Sequence, residues 1–421
     1  MRTLPGERDR PRRHPRRPRR LGGGGLSRDL NLLVGAVGLS ALGDWLALVP
    51  LALQVEETTG SGIVVALLFV AVWSPAVLLA GPAGLLADRF DTRRVLLAVS
   101  LAQAAVAIGL AFVTATVSIL VLAGLLGIGF ALAQPAEFAL VPAVAGEARL
   151  AVANGRVETA RYVGFTVGPL AGGALAAAGG MRTAMLVNAL TFLVVAVAAA
   201  VVRASRKQRE SNPESHEKRA WAGALYLVQD RSLAVVMAVA FVSLLFMTAS
   251  ATAEVFFAKD YLDIGDVGYG LLLTSWTLGM ALGAMFVARR VATTMLALGA
   301  LVAIVIQGFG LAAPTLWLVP VVAFALYVVG GLAHGTKNVL VRTLIHERVP
   351  ASVHGRAYAA YNALRNGAEL VALVGGGILV AALGARWTLL LAGTIPMAAG
   401  LVALVVSRRR LSEPAVSGAP A

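Results

Sequence analysis

Twelve long apolar runs separated by short polar gaps constrain this chain more than any other feature. A helix needs about 20 apolar residues to cross the hydrocarbon of a bilayer. Runs of that order lie near 30–54, 62–83, 94–114, 117–141, 151–178 and 183–203. Six more follow near 233–257, 267–288, 292–313, 316–341, 357–383 and 387–407. Of the 421 residues, 58% are hydrophobic and only 14% are charged. A soluble domain carries about a quarter charged residues, and no single core would hide so much apolar sequence from water. The pattern reads as an all-α integral membrane protein of twelve transmembrane helices in contact with lipid.

The placement of charge orients these spans. A net charge of +14 alone suits a nucleic-acid binder, but the basic residues sit in the gaps with no aromatic–basic stripe, so no nucleic-acid partner is expected. With the N-terminus inside, Arg89, Arg93, Arg94, Arg289, Arg290, Arg348 and the basic segment 205–220 fall on internal loops. The external loops hold only Arg182, Lys259 and Arg386. The positive-inside rule then places both termini in the cytoplasm of a cell membrane. No cysteine is present, which excludes disulfides and thiolate chemistry, and the scattered histidines form no metal motif.

Five segments result. Residues 1–28, with ten arginines and no apolar signal core, read as a disordered basic cytoplasmic tail. Residues 29–204 form a six-helix half, 205–231 a cytoplasmic linker, 232–408 a second six-helix half and 409–421 a tail. The linker ends in "WAGALYLVQDRSL", whose spacing predicts a short interfacial helix. The halves echo each other: "NGRVETARYVG" opens the fifth span and "HGRAYAAYNALRNG" the eleventh, with Gly-Arg pairs at 155 and 355. A pseudo-two-fold repeat of this kind is common in secondary transporters. The chain is expected to act as a monomer.

The fifth span carries "GRVETARYVGFTVGPLAGG", with five glycines, a proline and three charges in a segment that otherwise suits lipid. At about 100° per residue, with Gly164 at zero, Gly168 falls near 40°, Gly172 near 80°, Arg161 near 60° and Glu158 near 120°. Glycines and charges therefore share one face. Small residues let another helix approach closely, and ionisable groups rarely face lipid. This face is expected to meet protein or a water-filled cleft, with a bend at Pro169.

Two motifs carry a family resemblance. "GLLADRFDTRRVL", Gly84 to Leu96, resembles the internal-loop signature of the major facilitator superfamily; Gly84, Leu86, Asp88, Arg89, Arg93 and Leu96 fit, while Asp91 and Thr92 depart. The resemblance implies that Asp88 and its basic neighbours lock the cytoplasmic side of the two halves. The spacing of Gly155, Gly164, Gly168-Pro169 and Gly172-Gly173 is similar to the fifth-span signature of that superfamily's proton-coupled drug exporters. "LGDWLALVPLALQVEETTGS" and "VLVRTLIHERVPASVHGRAYA" look like its branch of macrolide and siderophore exporters. One departure is the fourth span, which lacks the arginine that many drug–proton antiporters carry there.

Proton coupling needs a carboxylate that gains and loses a proton inside the bilayer. Asp44, about 21 Å along the first span at 1.5 Å per residue, is the leading candidate, with Glu137 and Glu369 as partners. Glu369 lies four residues after Arg365, a spacing that suits either a structural pair or a working site. Glu158 and Arg161 are expected to pair and gate. Lys337 reads as snorkelling to the interface, with His334 beside it, and Glu254 as a surface residue. Trp73, Phe165, Trp276 and Tyr361 are the candidate substrate contacts. The gating set is Gly84, Asp88, Arg89, Arg93, Glu158, Arg161, Gly164, Gly168, Pro169, Gly172 and Gly173. The expected activity is export of small amphipathic molecules by proton antiport, with the proton gradient in place of a cofactor. The alternatives are an uncoupled importer or facilitator, and a non-transporting sensor or scaffold. No enzyme motif is present.

Overall fold

The computed structural model describes residues 23–145, 150–202, 229–349 and 354–407. The basic tail, most of the linker with its interfacial helix, and the segment 408–421 lie outside the described residues. All regular elements among the described residues are helical. They are α1 (Gly23–Thr59), α2 (Gly62–Leu78), α3 (Ala80–Arg89), α4 (Thr92–Leu110), α5 (Thr116–Ala145) and α6 (Leu150–Val201). After the linker come α7 (Arg231–Phe256), α8 (Gly265–Leu282), α9 (Leu296–Ala312), α10 (Pro320–Arg348), α11 (His354–Leu383) and α12 (Ala385–Ser407). Nine helical segments among the described residues are long and apolar enough to cross a membrane. Large side chains such as Leu78, Phe112, Val117, Val321 and Val405 are exposed on the outside, where lipid is the solvent they suit.

Local chemistry explains two breaks in the helices, the first of them inside a single apolar run. The second apolar run breaks at Leu79, and α3 starts at Ala80. Pro82 lacks the N–H that would bond the carbonyl of Leu78, and its ring crowds that carbonyl. The fifth and sixth runs are two helices, taken together here as α6, that meet at a kink at Gly179 and Gly180. Gly180 has φ 66° and ψ −173°, a conformation essentially confined to glycine.

Three buried apolar clusters organise the molecule. At one end, Leu51, Leu68, Leu110 and Met185 from the first part of the chain share a single cluster with Phe257, Tyr269, Tyr327 and Leu389 from the second. At the other end the core divides. Leu33, Leu96, Leu140 and Val157 form one cluster, and Leu233, Leu301, Leu344 and Ala357 form another. The two parts of the chain also meet directly at the shared end. α6 packs on α8, and α2 packs on α11. Lys259 Nζ lies 2.9 Å from both Glu56 Oε2 and Glu57 Oε1, and 4.0 Å from Asp266 Oδ1. The molecule is therefore closed at the Lys259 end.

Candidate functional site

The glycines of α6 make the first polar centre possible. A Cβ at Gly164 would lie 2.5 Å from the Gly38 carbonyl oxygen of α1, and one at Gly168 2.9 Å from that of Leu42. At Gly172 it would lie 3.0 Å from the Leu46 oxygen. Only hydrogen fits, so the two backbones touch. Gly173 faces the other part of the chain, where a Cβ would lie 2.5 Å from the Asp266 oxygen. The Pro169 carbonyl abuts Gly270, and Thr274 donates to the Thr166 carbonyl at 2.9 Å.

This close packing brings Asp44 of α1, Glu137 of α5 and Arg161 of α6 onto one cavity of about 20 Å³, together with Ser40, Gln103, Gln134 and Phe165. Asp44 also lines a neighbouring cavity of about 30 Å³ with Trp73, Phe130 and Asn188. Arg161 Nη2 is 3.6 Å from Glu137 Oε2, and the guanidinium carbon sits 4.7 Å over the Phe138 ring. Both side chains are about nine-tenths buried, and Arg161 Nε and Nη2 have no hydrogen-bond partner among the described residues. Arg161 forms no ion pair with Glu158, contrary to expectation. The guanidinium turns inward to the buried carboxylate, while Glu158 stays half-buried. The fourth span has no arginine of its own, and the guanidinium beside Glu137 comes from α6.

The second polar centre lies between α7, α10 and α11, around a cavity of about 350 Å³. Its polar lining is His334, Lys337, Asn338, Tyr361, Arg365 and Glu369; Met237, Phe241, Leu244 and Met247 form the apolar wall. Arg365 Nε donates to Glu369 Oε1 at 2.9 Å, the i,i+4 pair that their spacing suits. Lys337 is 3% exposed and does not snorkel. α10 turns it toward the cavity, where its Nζ lies 3.3 Å from His334 Nδ1. His334 also meets Gln307 Oε1 at 3.3 Å and Asn338 Nδ2 at 2.9 Å, and Trp276 at 5.8 Å between ring centroids.

The remaining candidates disperse. Trp73 packs edge-on against Phe130 at 5.7 Å, and Phe165 against Trp45 at 6.4 Å, both beside the first centre. Only Tyr361 of the four aromatic candidates lines the larger cavity. Glu254 is half-buried, with Ser250 Oγ at 3.2 Å, rather than a surface group. Gly84, Asp88 and Arg89 lie on α3, the Asp88 side chain outside the described residues. Arg93 donates to the Ala199 and Ala200 carbonyls at 3.5 and 3.1 Å, where a cation suits the C-terminus of α6. Both of these carbonyls belong to the first part of the chain. Sequence reading missed Lys337, Gln307 and Asn338 as one group, and Lys259 with Glu56 and Glu57.

A helical molecule with an apolar exterior, an interior polar cavity and one closed end is a multi-pass membrane transporter by architecture. Residues 33–368 match the model of the Major Facilitator Superfamily, and the chain belongs to that family. It is 24% identical over 391 residues to the uncharacterized MFS-type transporter YfiS of Bacillus subtilis (strain 168), covering 89% of this chain and 92% of the relative. Its fold is similar to that of a bacterial homologue of the human lysosomal transporter Spinster, in an inward-facing and unoccupied conformation. That likeness has a TM-score of 0.68 at 14% identity, over 93% of this chain and 97% of the other. The nucleoside transporter NupG matches at TM-score 0.70 and 14% identity, over 90% of this chain and 99% of the other. A peptide transporter POT in complex with sulfate matches at 0.70 and 14%, over 91% and 95%. The chain is accordingly a transporter and not an enzyme.

Proposed function

We propose that this transporter exports small amphipathic molecules from the cytoplasm by proton antiport, as a drug/proton antiporter similar to the macrolide and siderophore exporters. In this reading twelve membrane helices form two six-helix halves related by a pseudo-two-fold axis, in a monomer with both termini in the cytoplasm of a plasma membrane. The end carrying Arg93 and Arg289 is then internal, and the closed Lys259 end external. The molecule is caught facing inward, and the halves rock about the midplane to expose the site alternately. The resemblance of the Gly155–Gly173 spacing to drug exporters supports the direction of transport.

One observation carries the coupling. Asp44 and Glu137 line one small cavity with a single guanidinium between α1, α5 and α6. Two carboxylates and one fixed cation leave one negative charge to be neutralised, which suits the gain and loss of a proton. A proton arriving from outside neutralises Asp44, and Arg161 holds Glu137 meanwhile. The α1–α6 glycine seam then transmits the change, because backbones in contact move together.

Asp44→Asn is the test. Gradient-driven efflux from proteoliposomes is expected to vanish while exchange without a gradient persists. Unchanged gradient-driven flux would sink the assignment of Asp44. Equal flux with and without an imposed pH gradient in the unmodified protein would favour an uncoupled facilitator.

A further inference from the structure

The cavity between α7, α10 and α11 holds a cation that the protein does not neutralise. Lys337 is 3% exposed, and no carboxylate among the described residues lies within ion-pair distance of it. Glu369, the carboxylate on the same cavity, already accepts from Arg365. Among the described residues, the only polar contact of the Lys337 ammonium is His334 Nδ1 at 3.3 Å. That nitrogen has another use. The arrangement that satisfies both neighbouring amides has Nδ1–H donating to Gln307 Oε1 at 3.3 Å and Nε2 accepting from Asn338 Nδ2 at 2.9 Å. The ammonium, with three donors, is then left without an acceptor; with the other tautomer it has one. A buried charge of this kind is costly unless it is paired. Its natural partner is an anion that enters and leaves with each transport cycle.

The rest of the cavity describes that anion. Its volume of about 350 Å³ is in the range that holds a small organic molecule, far above what one inorganic ion needs. Met237, Phe241, Leu244 and Met247 of α7 line the same cavity, to which α10 contributes Lys337 and Asn338, and supply a soft wall of adaptable and aromatic surface. The ligand therefore carries its charge at one end and an apolar body at the other. We propose that this cavity binds an amphipathic small-molecule anion, its carboxylate, sulfonate or phosphate group held by the Lys337 ammonium and the Asn338 amide. The proposal rests on reading the molecule as a transporter of amphipathic solutes, and it narrows that class to anions.

Binding to the purified full-length protein tests it without a gradient. Calorimetry with 4-phenylbutyrate, naphthalene-2-sulfonate and naphthyl phosphate is compared with 4-phenylbutanamide and 4-phenylbutylamine. At least one anion is expected to bind tenfold or more tightly than the neutral and cationic probes. Lys337→Met is expected to remove that preference, and Lys337→Arg to restore most of it. Tyr361→Cys gives a second readout that leaves Lys337 untouched. The chain has no cysteine, so a neutral maleimide reports this position alone. The bound anion is expected to slow its labelling, and the amide is not. Equal binding of anion and amide, undiminished anion binding in Lys337→Met, or binding by none of the three anions overturns the proposal. Protection by phosphatidylglycerol alone overturns it too, since the occupant is then a lipid. Anion binding in a protein with no pH-driven efflux keeps this proposal and removes proton coupling. Efflux of a cation with no anion binding does the reverse.

Discussion

The two buried polar centres are built by opposite rules. The first, around Asp44, Glu137 and Arg161, is drawn tight by glycines, and its cavities measure only about 20 and 30 Å³. The second, around Lys337, surrounds about 350 Å³. The first has an excess of carboxylate, the second an excess of cation. Space and charge together decide what each can hold. A cavity with room for little beyond a water molecule suits a proton, while a roomy cavity with an unpaired ammonium suits an organic anion. The two centres lie on different helices, so a change of charge at one need not disturb what the other holds.

The comparison breaks most readily at Arg161. Removing one partner of a buried ion pair costs about 3–5 kcal/mol, since the other charge is left uncompensated. Arg161→Met is expected at the lower end, about 3 kcal/mol, because the N···O distance of 3.6 Å is beyond a hydrogen bond. The double variant Arg161→Met/Glu137→Gln is expected to regain most of this loss, since no charge is then stranded. A thermal-unfolding double-mutant cycle in detergent measures the coupling. Additive losses would mean that Arg161 serves packing on Phe138 rather than charge balance.

Tightness itself is the next difference to probe. A valine at Gly168 would press on the Leu42 carbonyl and the Trp45 Cβ, which lie 2.9 and 2.8 Å from an added Cβ. Overpacking of this kind costs about 1–3 kcal/mol. Gly168→Val is expected to lower the unfolding midpoint and slow transport, with α1 pushed off α6. Gly155→Val is the control: a Cβ there meets nothing within 4 Å, so stability should stay within about 0.5 kcal/mol. Equal losses in the two variants would show that glycine serves backbone freedom here and not close approach.

Much of this architecture was legible in the sequence, and the reasons for the gaps are physical. Helix existence follows from apolar run length, which the bilayer itself sets. The shared face of Gly164, Gly168, Gly172 and Arg161 follows from helical periodicity. Which neighbour meets that face does not, so the sequence pairs Arg161 with Glu158 on its own helix, where the structure pairs it with Glu137 on α5. The burial of Lys337 escapes the sequence for the same reason. Depth along α10 is readable from the chain, but rotation relative to α7 and α11 is fixed only by packing. Lys259 meeting Glu56 and Glu57 is a contact across about 200 residues of sequence separation, which no local pattern encodes. Glu369 was the opposite case. Its partner lies one helical turn away, so spacing alone proposed the pair.

That local pair gives the smallest effect and the sharpest contrast with Arg161. Arg365 and Glu369 are 38% and 30% exposed, so solvent screens much of their attraction. An i,i+4 pair of this kind contributes about 0.3–0.5 kcal/mol. Glu369→Gln is expected to shift unfolding by no more than that, well below the change at Arg161. Its effect on binding should have the opposite sign. Arg365 loses its carboxylate and the cavity gains one unit of positive charge beside Lys337. Anionic probes are then expected to bind severalfold more tightly, and the amide and amine probes to gain nothing. A large loss of stability would make the second centre as dependent on its internal ion pair as the first. Weaker anion binding would instead show that Glu369 positions Arg365 for the ligand, so that the guanidinium and Lys337 act as one clamp.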